Sequence, residues 1–163
     1  MFRVLLVEDD EVTRELYQLT IESWDLPVDC TWMPSALEAL MDIASMQPDL
    51  LITDLSMPGV DGIEMLKALK RNIHLADMQV IVISGLPPEA IEARGGIPLR
   101  AHLMQKPVNF DWLEGYMTAM VTANFKWQDQ AQSLPLRTVR PVTTSTSPAH
   151  ARMVASLQDG LVQ

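Results

Sequence analysis

The sequence predicts an α/β fold with a doubly wound, five-stranded parallel sheet. Short apolar runs recur along the chain, and a segment with the apolar spacing of a helix follows each of them. Several runs end directly on a charged or hydroxyl side chain, as expected where parallel strands share one sheet edge at their carboxyl ends. Five such pairs of strand and helix fit within residues 1–125.

The central strand of this sheet is predicted at residues 50–54. Its apolar run, residues 50–52, is typical of a strand that is buried on both faces. The strand ends at Asp54, and a turn containing Pro58 and Gly59 follows at once. Asp54 is therefore the candidate reactive group, unless it serves only to form the turn, which is a common role of aspartate.

The remaining strands alternate with helices in the same way. These strands are predicted at residues 3–7, 28–32, 80–83 and 101–104. Ser35, three residues before Glu38, and also Asp61 and Asn109, are suited to cap the helices that follow them. The fourth helix is expected to be short because prolines and glycines flank it between residues 87 and 98.

Each of the four longer helices has apolar residues at helical spacing, and we expect these to face the sheet. The predicted inward residues are Val12, Leu16, Tyr17 and Leu19 in the first helix, Ala36, Leu37, Leu40, Met41 and Ile43 in the second, Ile63, Leu66, Leu69 and Ile73 in the third, and Phe110, Leu113, Met117, Met120 and Val121 in the last.

Composition and charge favour an acidic globular domain followed by a tail. Residues 1–125 hold 8 Lys and Arg against 19 Asp and Glu, a net charge of −11, whereas residues 126–163 hold 4 against 2, a net charge of +2. We expect one domain over residues 1–125 and a flexible Ser/Thr/Pro-rich tail over residues 126–163. The acidic balance argues against direct binding of nucleic acid, which needs clustered Lys and Arg.

The sequence shows no membrane span, no signal peptide and no pair of cysteines that could form a disulfide. No apolar run approaches the roughly 18 residues that a membrane span needs, and the N-terminus lacks the features of a signal peptide. We therefore expect a cytoplasmic protein without membrane insertion. Cys30 is the single cysteine, so no internal disulfide is expected.

Five polar side chains follow the predicted strands at one edge of the sheet. They are Glu8, Asp9, Asp54, Ser84 and Lys106. Carboxylates that lie close together raise one another's pKa, so this cluster needs a cation to neutralise it. Oxygen ligands with room for water suit Mg²⁺, with Mn²⁺ as a substitute.

The motifs at these positions resemble the receiver domain of two-component response regulators, of the single-domain, chemotaxis-regulator-like kind. The resemblance covers roughly residues 2–124. It rests on LLVEDDE, DLSMPGVDG, Ser84 placed 30 positions after Asp54, and the Lys106-Pro107 pair with Lys106 placed 22 positions after Ser84. It implies a flavodoxin-like (βα)5 receiver fold.

The resemblance also implies a role for each site residue. Asp54 would accept a phosphoryl group from a phosphohistidine of a sensor histidine kinase or a histidine phosphotransfer protein. Lys106 would pair with that group, and Ser84 would hydrogen-bond it and so switch the conformation. The implied metal ligands are Asp9, Glu8 through water, Asp54 and the backbone carbonyl of Ser56. The output would be a switched contact with a downstream protein that the sequence does not identify, and no separate enzymatic activity is expected.

Two departures from the family pattern leave alternatives open. Leu103 stands where most receivers have an aromatic residue three positions before the lysine, and the fourth helix is short. A receiver-like scaffold that binds its partner regardless of phosphorylation is one alternative. A phosphorelay intermediate or phosphate sink is a second, and a phosphoaspartate-type hydrolase is a third, although the sequence has no cap segment for an external substrate. The oligomeric state is left open.

Overall fold

Five strands and five helices alternate in the part of the chain that the structure describes. This computed structural model describes residues 1–59, 61–71, 75, 77–98 and 100–133, without the side chains of residues 126–133. The chain divides into two units, Met1–Asp129 and Gln130–Gln163. Apart from residues 130–133 at the end of the last helix, the features below belong to the first unit.

The strands lie within one residue of their predicted bounds. They are β1 (Phe2–Val7), β2 (Val28–Met33), β3 (Leu50–Asp54), β4 (Gln79–Ser84) and β5 (His102–Gln105). The helices are α1 (Glu11–Glu22), α2 (Ala36–Met46), α3 (Gly62–Lys70), α4 (Pro88–Ala93) and α5 (Phe110–Ser133). The predicted alternation of strands and helices is confirmed.

All strand pairs in the sheet are parallel, in the order β2-β1-β3-β4-β5. The register aligns Val7 of β1 with Thr53 of β3, so the residues that follow them, Glu8 and Asp54, lie at the same level of the sheet. It also pairs Ser84 with Gln105, the residue before Lys106. The carboxyl ends of four strands therefore deliver polar residues to one edge.

Two hydrophobic layers cover the two faces of the sheet, which confirms the doubly wound architecture. On one face, α2, α3 and α4 pack through residues such as Ile43, Leu66 and Ile91. On the other face, α1 and α5 pack through residues such as Ile21 and Met117. The central strand contributes to both layers because its successive side chains point in opposite directions. This burial on both faces fixes the position of Asp54 at the end of β3.

The predicted caps are confirmed. The side chains of Ser35, Asp61 and Asn109 accept hydrogen bonds from the backbone N–H groups near the starts of α2, α3 and α5. Asp10 caps α1 by accepting a hydrogen bond from the Thr13 N–H at 2.7 Å. The helix α4 has no side-chain cap and spans only six residues.

The predicted inward face of α1 is wrong for three of its four residues. Val12, Leu16 and Leu19 are 76%, 52% and 61% exposed, whereas Tyr17 and Ile21 are buried against the sheet. The apolar residues of α1 occur on two opposite sides of the helix. Periodicity therefore detects the helix but does not decide which side packs on the sheet.

The same correction applies to α2, where Leu37 and Met41 are exposed and Ala39 is buried. The residues of α2 that are buried against the core are Ala36, Ala39 and Ile43. The inward residues predicted for α3 and α5 within the described range are buried or half-buried, while Ile73 lies outside the described residues.

The last helix extends beyond the predicted domain boundary. We expected the tail to begin at residue 126, but α5 continues to Ser133. Residues 126–133 contain no Gly or Pro, so nothing in the sequence ends the helix before Pro135. Residues 134–163 of the predicted flexible tail lie outside the described residues, and their flexibility stays a prediction.

Candidate functional site

The centre of the candidate site is Asp54, the last residue of the central strand. Its side chain is buried, and one carboxylate oxygen, Oδ1, accepts a hydrogen bond of 2.9 Å from the backbone N–H of Ser56. The Thr53 hydroxyl donates to the Asp54 carbonyl at 3.0 Å. These two contacts hold the backbone and one oxygen of Asp54, and Oδ2 points to a second partner.

That partner is Lys106, which follows β5. Its ammonium donates to Asp54 Oδ2 at 2.7 Å and to Glu8 Oε2 at 3.4 Å. Glu8 is buried as deeply as Asp54, whereas about a third of the Lys106 side chain is exposed. One partly exposed ammonium thus contacts two buried carboxyl groups at the ends of different strands and offsets part of their charge.

The charges and burial of this group shift two pKa values. Burial raises the pKa of the Glu8 carboxyl, and the nearby Lys106 ammonium offsets only part of that effect. Burial also lowers the pKa of Lys106, but the hydrogen bond from its ammonium to Asp54 and the charges of Asp54 and Glu8 outweigh burial, so the pKa is raised overall. Lys106 therefore stays charged, and the raised pKa means that Glu8 ionises less readily than an exposed glutamate.

Ser84 lies at the same edge, at the end of β4, and is fully buried. Its hydroxyl oxygen accepts a hydrogen bond of 3.0 Å from the backbone N–H of Leu86. Its carbonyl accepts a hydrogen bond of 2.9 Å from the Lys106 N–H, which ties the ends of β4 and β5 together. The predicted hydroxyl is thus present at the edge, and in this structure it faces its own loop.

Arg14 supports the acidic turn and was not predicted. Its guanidinium donates to the backbone carbonyl of Glu8 at 3.0 Å, across the start of α1. The Glu8 side chain itself accepts from the Asp10 N–H at 3.3 Å. A basic residue one turn beyond a run of acidic residues is the sequence signal that could have identified Arg14 as a support for this turn.

The metal ligands implied by the sequence are only partly brought together. Glu8 and Asp54 share one cation, Lys106, while Asp9 is half-buried beside them and Ser56 is exposed. Among the described residues, no three His, Cys, Asp or Glu side chains form a group that could hold a metal ion. The donor chemistry fits Mg²⁺, because buried carboxylate oxygens already bind a positive charge at this point. The metal site stays a prediction.

A comparison with protein families identifies the class to which this fold and site belong. The sequence profile of the response regulator receiver domain matches residues 4–114 of the chain. The chain therefore belongs to the response regulator receiver domain family, and the predicted resemblance is confirmed. Membership places the protein in two-component signalling in general.

Individual relatives agree with this family. Response regulator MprA of Mycobacterium bovis is 27% identical over 155 residues, which cover 93% of this chain and 65% of MprA. The chain thus spans about two thirds of the length of that relative. A receiver domain of a Francisella response regulator has a TM-score of 0.62 at 26% identity, over 76% of this chain and 99% of the solved chain.

The fold is also shared with the signal receiver domain of a DNA-binding response regulator from Colwellia psychrerythraea. The two have a TM-score of 0.66 at 23% identity, over 75% of this chain and 99% of that domain. In the described part of this chain, none of the helices has the length and apolar character to cross a membrane.

Proposed function

We propose that the chain accepts a phosphoryl group on Asp54 from a phosphohistidine of a sensor histidine kinase or a histidine phosphotransfer protein. The observation that carries this proposal is the contact of 2.7 Å between Lys106 Nζ and Asp54 Oδ2 at the carboxyl end of the central strand. An ammonium at this position offsets negative charge on the reacting oxygens, which is the main requirement of phosphoryl transfer.

The proposed transfer forms one bond and breaks another. A carboxylate oxygen of Asp54 attacks phosphorus, the bond between phosphorus and the histidine nitrogen breaks, and the imidazole leaves with the bonding electron pair. The product is an aspartyl phosphate, whose oxygens lie within reach of the ammonium that Asp54 now holds. The hydrogen bond from Ser56 N–H to Oδ1 orients the carboxylate for this attack.

Magnesium would be held by Asp9, Asp54, the backbone carbonyl of Ser56 and, through water, Glu8, with Mn²⁺ as a substitute. When bound, the metal supplies positive charge that offsets the charge of the transferred group. The chain's own residues contribute the nucleophile, the ammonium and the hydroxyl. Lys106 orients the phosphoryl group. The Ser84 hydroxyl donates a hydrogen bond to that group after its present hydrogen bond with the Leu86 N–H is broken.

The proposed output is a protein contact that depends on this change of the Ser84 hydroxyl. The chain acts as a phosphoacceptor signalling domain in the cytoplasm and catalyses no reaction on an external substrate. A second candidate is a scaffold whose binding does not depend on phosphorylation. The observation that favours the scaffold is Leu103, an exposed aliphatic residue on β5 where most receivers have a mobile aromatic ring.

The test is the intact mass of the protein after incubation with acetyl phosphate, with and without Mg²⁺. We expect a Mg²⁺-dependent gain of one phosphoryl group in the wild type and none in Asp54→Asn. Asp77→Asn is the matched control, because Asp77 is exposed and lies before the amino end of β4. Failure with acetyl phosphate and with a panel of phosphorylated histidine kinases would favour the scaffold.

A further inference from the structure

The backbone N–H and the backbone carbonyl of Leu86 are both hydrogen-bonded to side chains, and this links the buried site to the surface. Its N–H donates to the Ser84 hydroxyl at 3.0 Å, and its carbonyl accepts from the Gln105 side-chain amide at 2.8 Å. Ser84 and Gln105 are paired in the register of β4 and β5. The backbone of a single residue, Leu86, therefore connects a site hydroxyl to a side-chain amide on the edge strand.

The two ends of this connection differ in exposure. Ser84 is fully buried, and Gln105 is exposed on β5, which pairs only with β4 in the described sheet. The backbone of Ser84 is itself fixed, because its carbonyl accepts from the Lys106 N–H at 2.9 Å. The loop begins at Gly85, where an added Cβ would meet nothing within 4 Å, so there is open space beside the backbone at this point.

We propose that Gln105 is a positioning residue for Ser84. Its amide holds the Leu86 carbonyl and so stabilises the loop conformation in which Leu86 N–H engages the hydroxyl. When Ser84 turns to a phosphoryl group on Asp54, the Leu86 N–H loses its acceptor and the loop is released from Gln105. The change of state then reaches the surface of β5 through Gln105. The release of the loop and its effect at the surface rest on the proposed phosphorylation of Asp54.

The effect of removing the Gln105 amide depends on the populations of two loop states, one in which the Leu86 N–H contacts the Ser84 hydroxyl and one in which it does not. A contact that stabilises only the state in which Ser84 faces Leu86 lowers the population in which Ser84 is free to face the site. Removing one neutral hydrogen bond changes such an equilibrium by about two- to tenfold. Loss of the Gln105 amide is therefore expected to open the loop and to favour phosphorylation.

The first test measures amide hydrogen exchange at Leu86 by NMR in the full chain without any phosphodonor. Gln105→Leu, which keeps the length but removes the donor, is expected to speed this exchange by about two- to tenfold. Gln18→Leu is the matched control, because Gln18 donates a similar exposed hydrogen bond to Glu22 on α1. Equal Leu86 exchange in the wild type and Gln105→Leu would overturn the proposal.

A double-mutant cycle tests whether Gln105 acts through the contact with Ser84. In Ser84→Ala the Leu86 N–H has already lost its acceptor, so adding Gln105→Leu is expected to change Leu86 exchange by less than twofold. Additive effects of the two substitutions would mean that Gln105 does not hold the hydroxyl contact, and the proposal would be wrong.

The functional readout is the rate at which acetyl phosphate with Mg²⁺ phosphorylates each variant, followed by intact mass. We expect Gln105→Leu to be phosphorylated about two- to tenfold faster than the wild type and Gln18→Leu to match the wild type. An unchanged rate for Gln105→Leu in a chain that does accept phosphate would overturn the positioning role. If the wild type accepts no phosphate from acetyl phosphate or from a panel of phosphorylated histidine kinases, the proposed function fails, and the exchange results alone decide whether Gln105 holds the loop.

Discussion

The ammonium of Lys106 lies 2.7 Å from the carboxylate of Asp54, although 52 positions of sequence separate the two residues. The parallel register explains this proximity, because β3, β4 and β5 are neighbours and end at the same edge of the sheet. The same ammonium reaches Glu8 from β1. Lys106 is thus the positive centre on which the stability of the acidic edge depends.

Replacing Lys106 is expected to destabilise the fold. Lys106→Met keeps the apolar stem and removes the charge, which leaves Asp54 and Glu8 without their cation. Removing one partner of a fully buried ion pair lowers the free energy of unfolding by roughly 3–5 kcal/mol. Because the lysine is partly exposed to solvent, we expect a smaller loss of about 1–2 kcal/mol here. Urea unfolding at pH 7 measures the change in the free energy of unfolding.

The control for this substitution is Lys67→Met on α3. Lys67 pairs with Glu64 at 2.6 Å, and both side chains are well exposed. Surface pairs at this helical spacing contribute about 0.2–0.5 kcal/mol. If Lys106→Met costs no more than Lys67→Met, the ammonium does not stabilise the acidic edge in solution.

Glu8 is expected to reduce stability at neutral pH. Burial raises its pKa above the ordinary value of 4.5 in the folded protein. The folded state then binds this proton more tightly than the unfolded state, so the associated stability is lost as the pH rises through the folded-state pKa. Glu8→Gln should therefore raise the free energy of unfolding at pH 7 and approach the wild type below pH 4.5.

Urea unfolding between pH 4 and 8 tests this sign. The glutamine retains an oxygen that accepts from the Asp10 N–H, so the turn keeps its hydrogen bond. Glu114→Gln is the control, because Glu114 is exposed on α5 and its replacement should stay within about 0.5 kcal/mol. A loss of stability in Glu8→Gln at pH 7 would show that the pair with Lys106 outweighs the cost of burial.

Gly62 is expected to tolerate no side chain, because it lies against the backbone of the site. A Cβ at Gly62 would lie 2.6 Å from the Asp54 carbonyl oxygen and 2.7 Å from Leu55 Cα. Gly62→Ala should cost about 1–3 kcal/mol by overpacking and should slow phosphorylation, since Asp54 must shift. Gly115→Ala, in α5 with open space, should instead stabilise by about 0.5–1 kcal/mol. Comparable stabilities of the two variants in urea would contradict this prediction.

The site residues were predictable because a parallel sheet brings the ends of its strands together. Once β1, β3, β4 and β5 are recognised as apolar runs, Glu8, Asp54, Ser84 and Lys106 must meet at one edge. The contacts of long side chains with backbone carbonyls were not predictable. Gln105 reaches Leu86, and no periodic pattern in the sequence marks such a contact.

The helix faces show a second limit of the sequence. In α1, Val12, Leu16 and Leu19 have the spacing of an inward stripe, yet Tyr17 and Ile21 occupy the sheet side. Which side packs is decided by the shape of the sheet surface and by neighbouring helices, such as α5 through the edge-on contact of Tyr17 with Phe110. A single sequence carries no direct record of either.

Substitutions on the two sides of α1 test this assignment. Ile21→Ala removes a buried side chain and should lower the free energy of unfolding by about 2–4 kcal/mol, because it leaves a cavity against the sheet. Leu16→Ala removes a side chain that is 52% exposed and should change it by no more than about 0.5 kcal/mol. Both substitutions place alanine, a good helix former, in the same helix, so helix propensity does not explain the difference. Urea unfolding measures the free energy of unfolding of each variant, provided that its dependence on urea concentration is unchanged. Equal losses of stability in the two variants would place Leu16 in the core, as the spacing alone predicted.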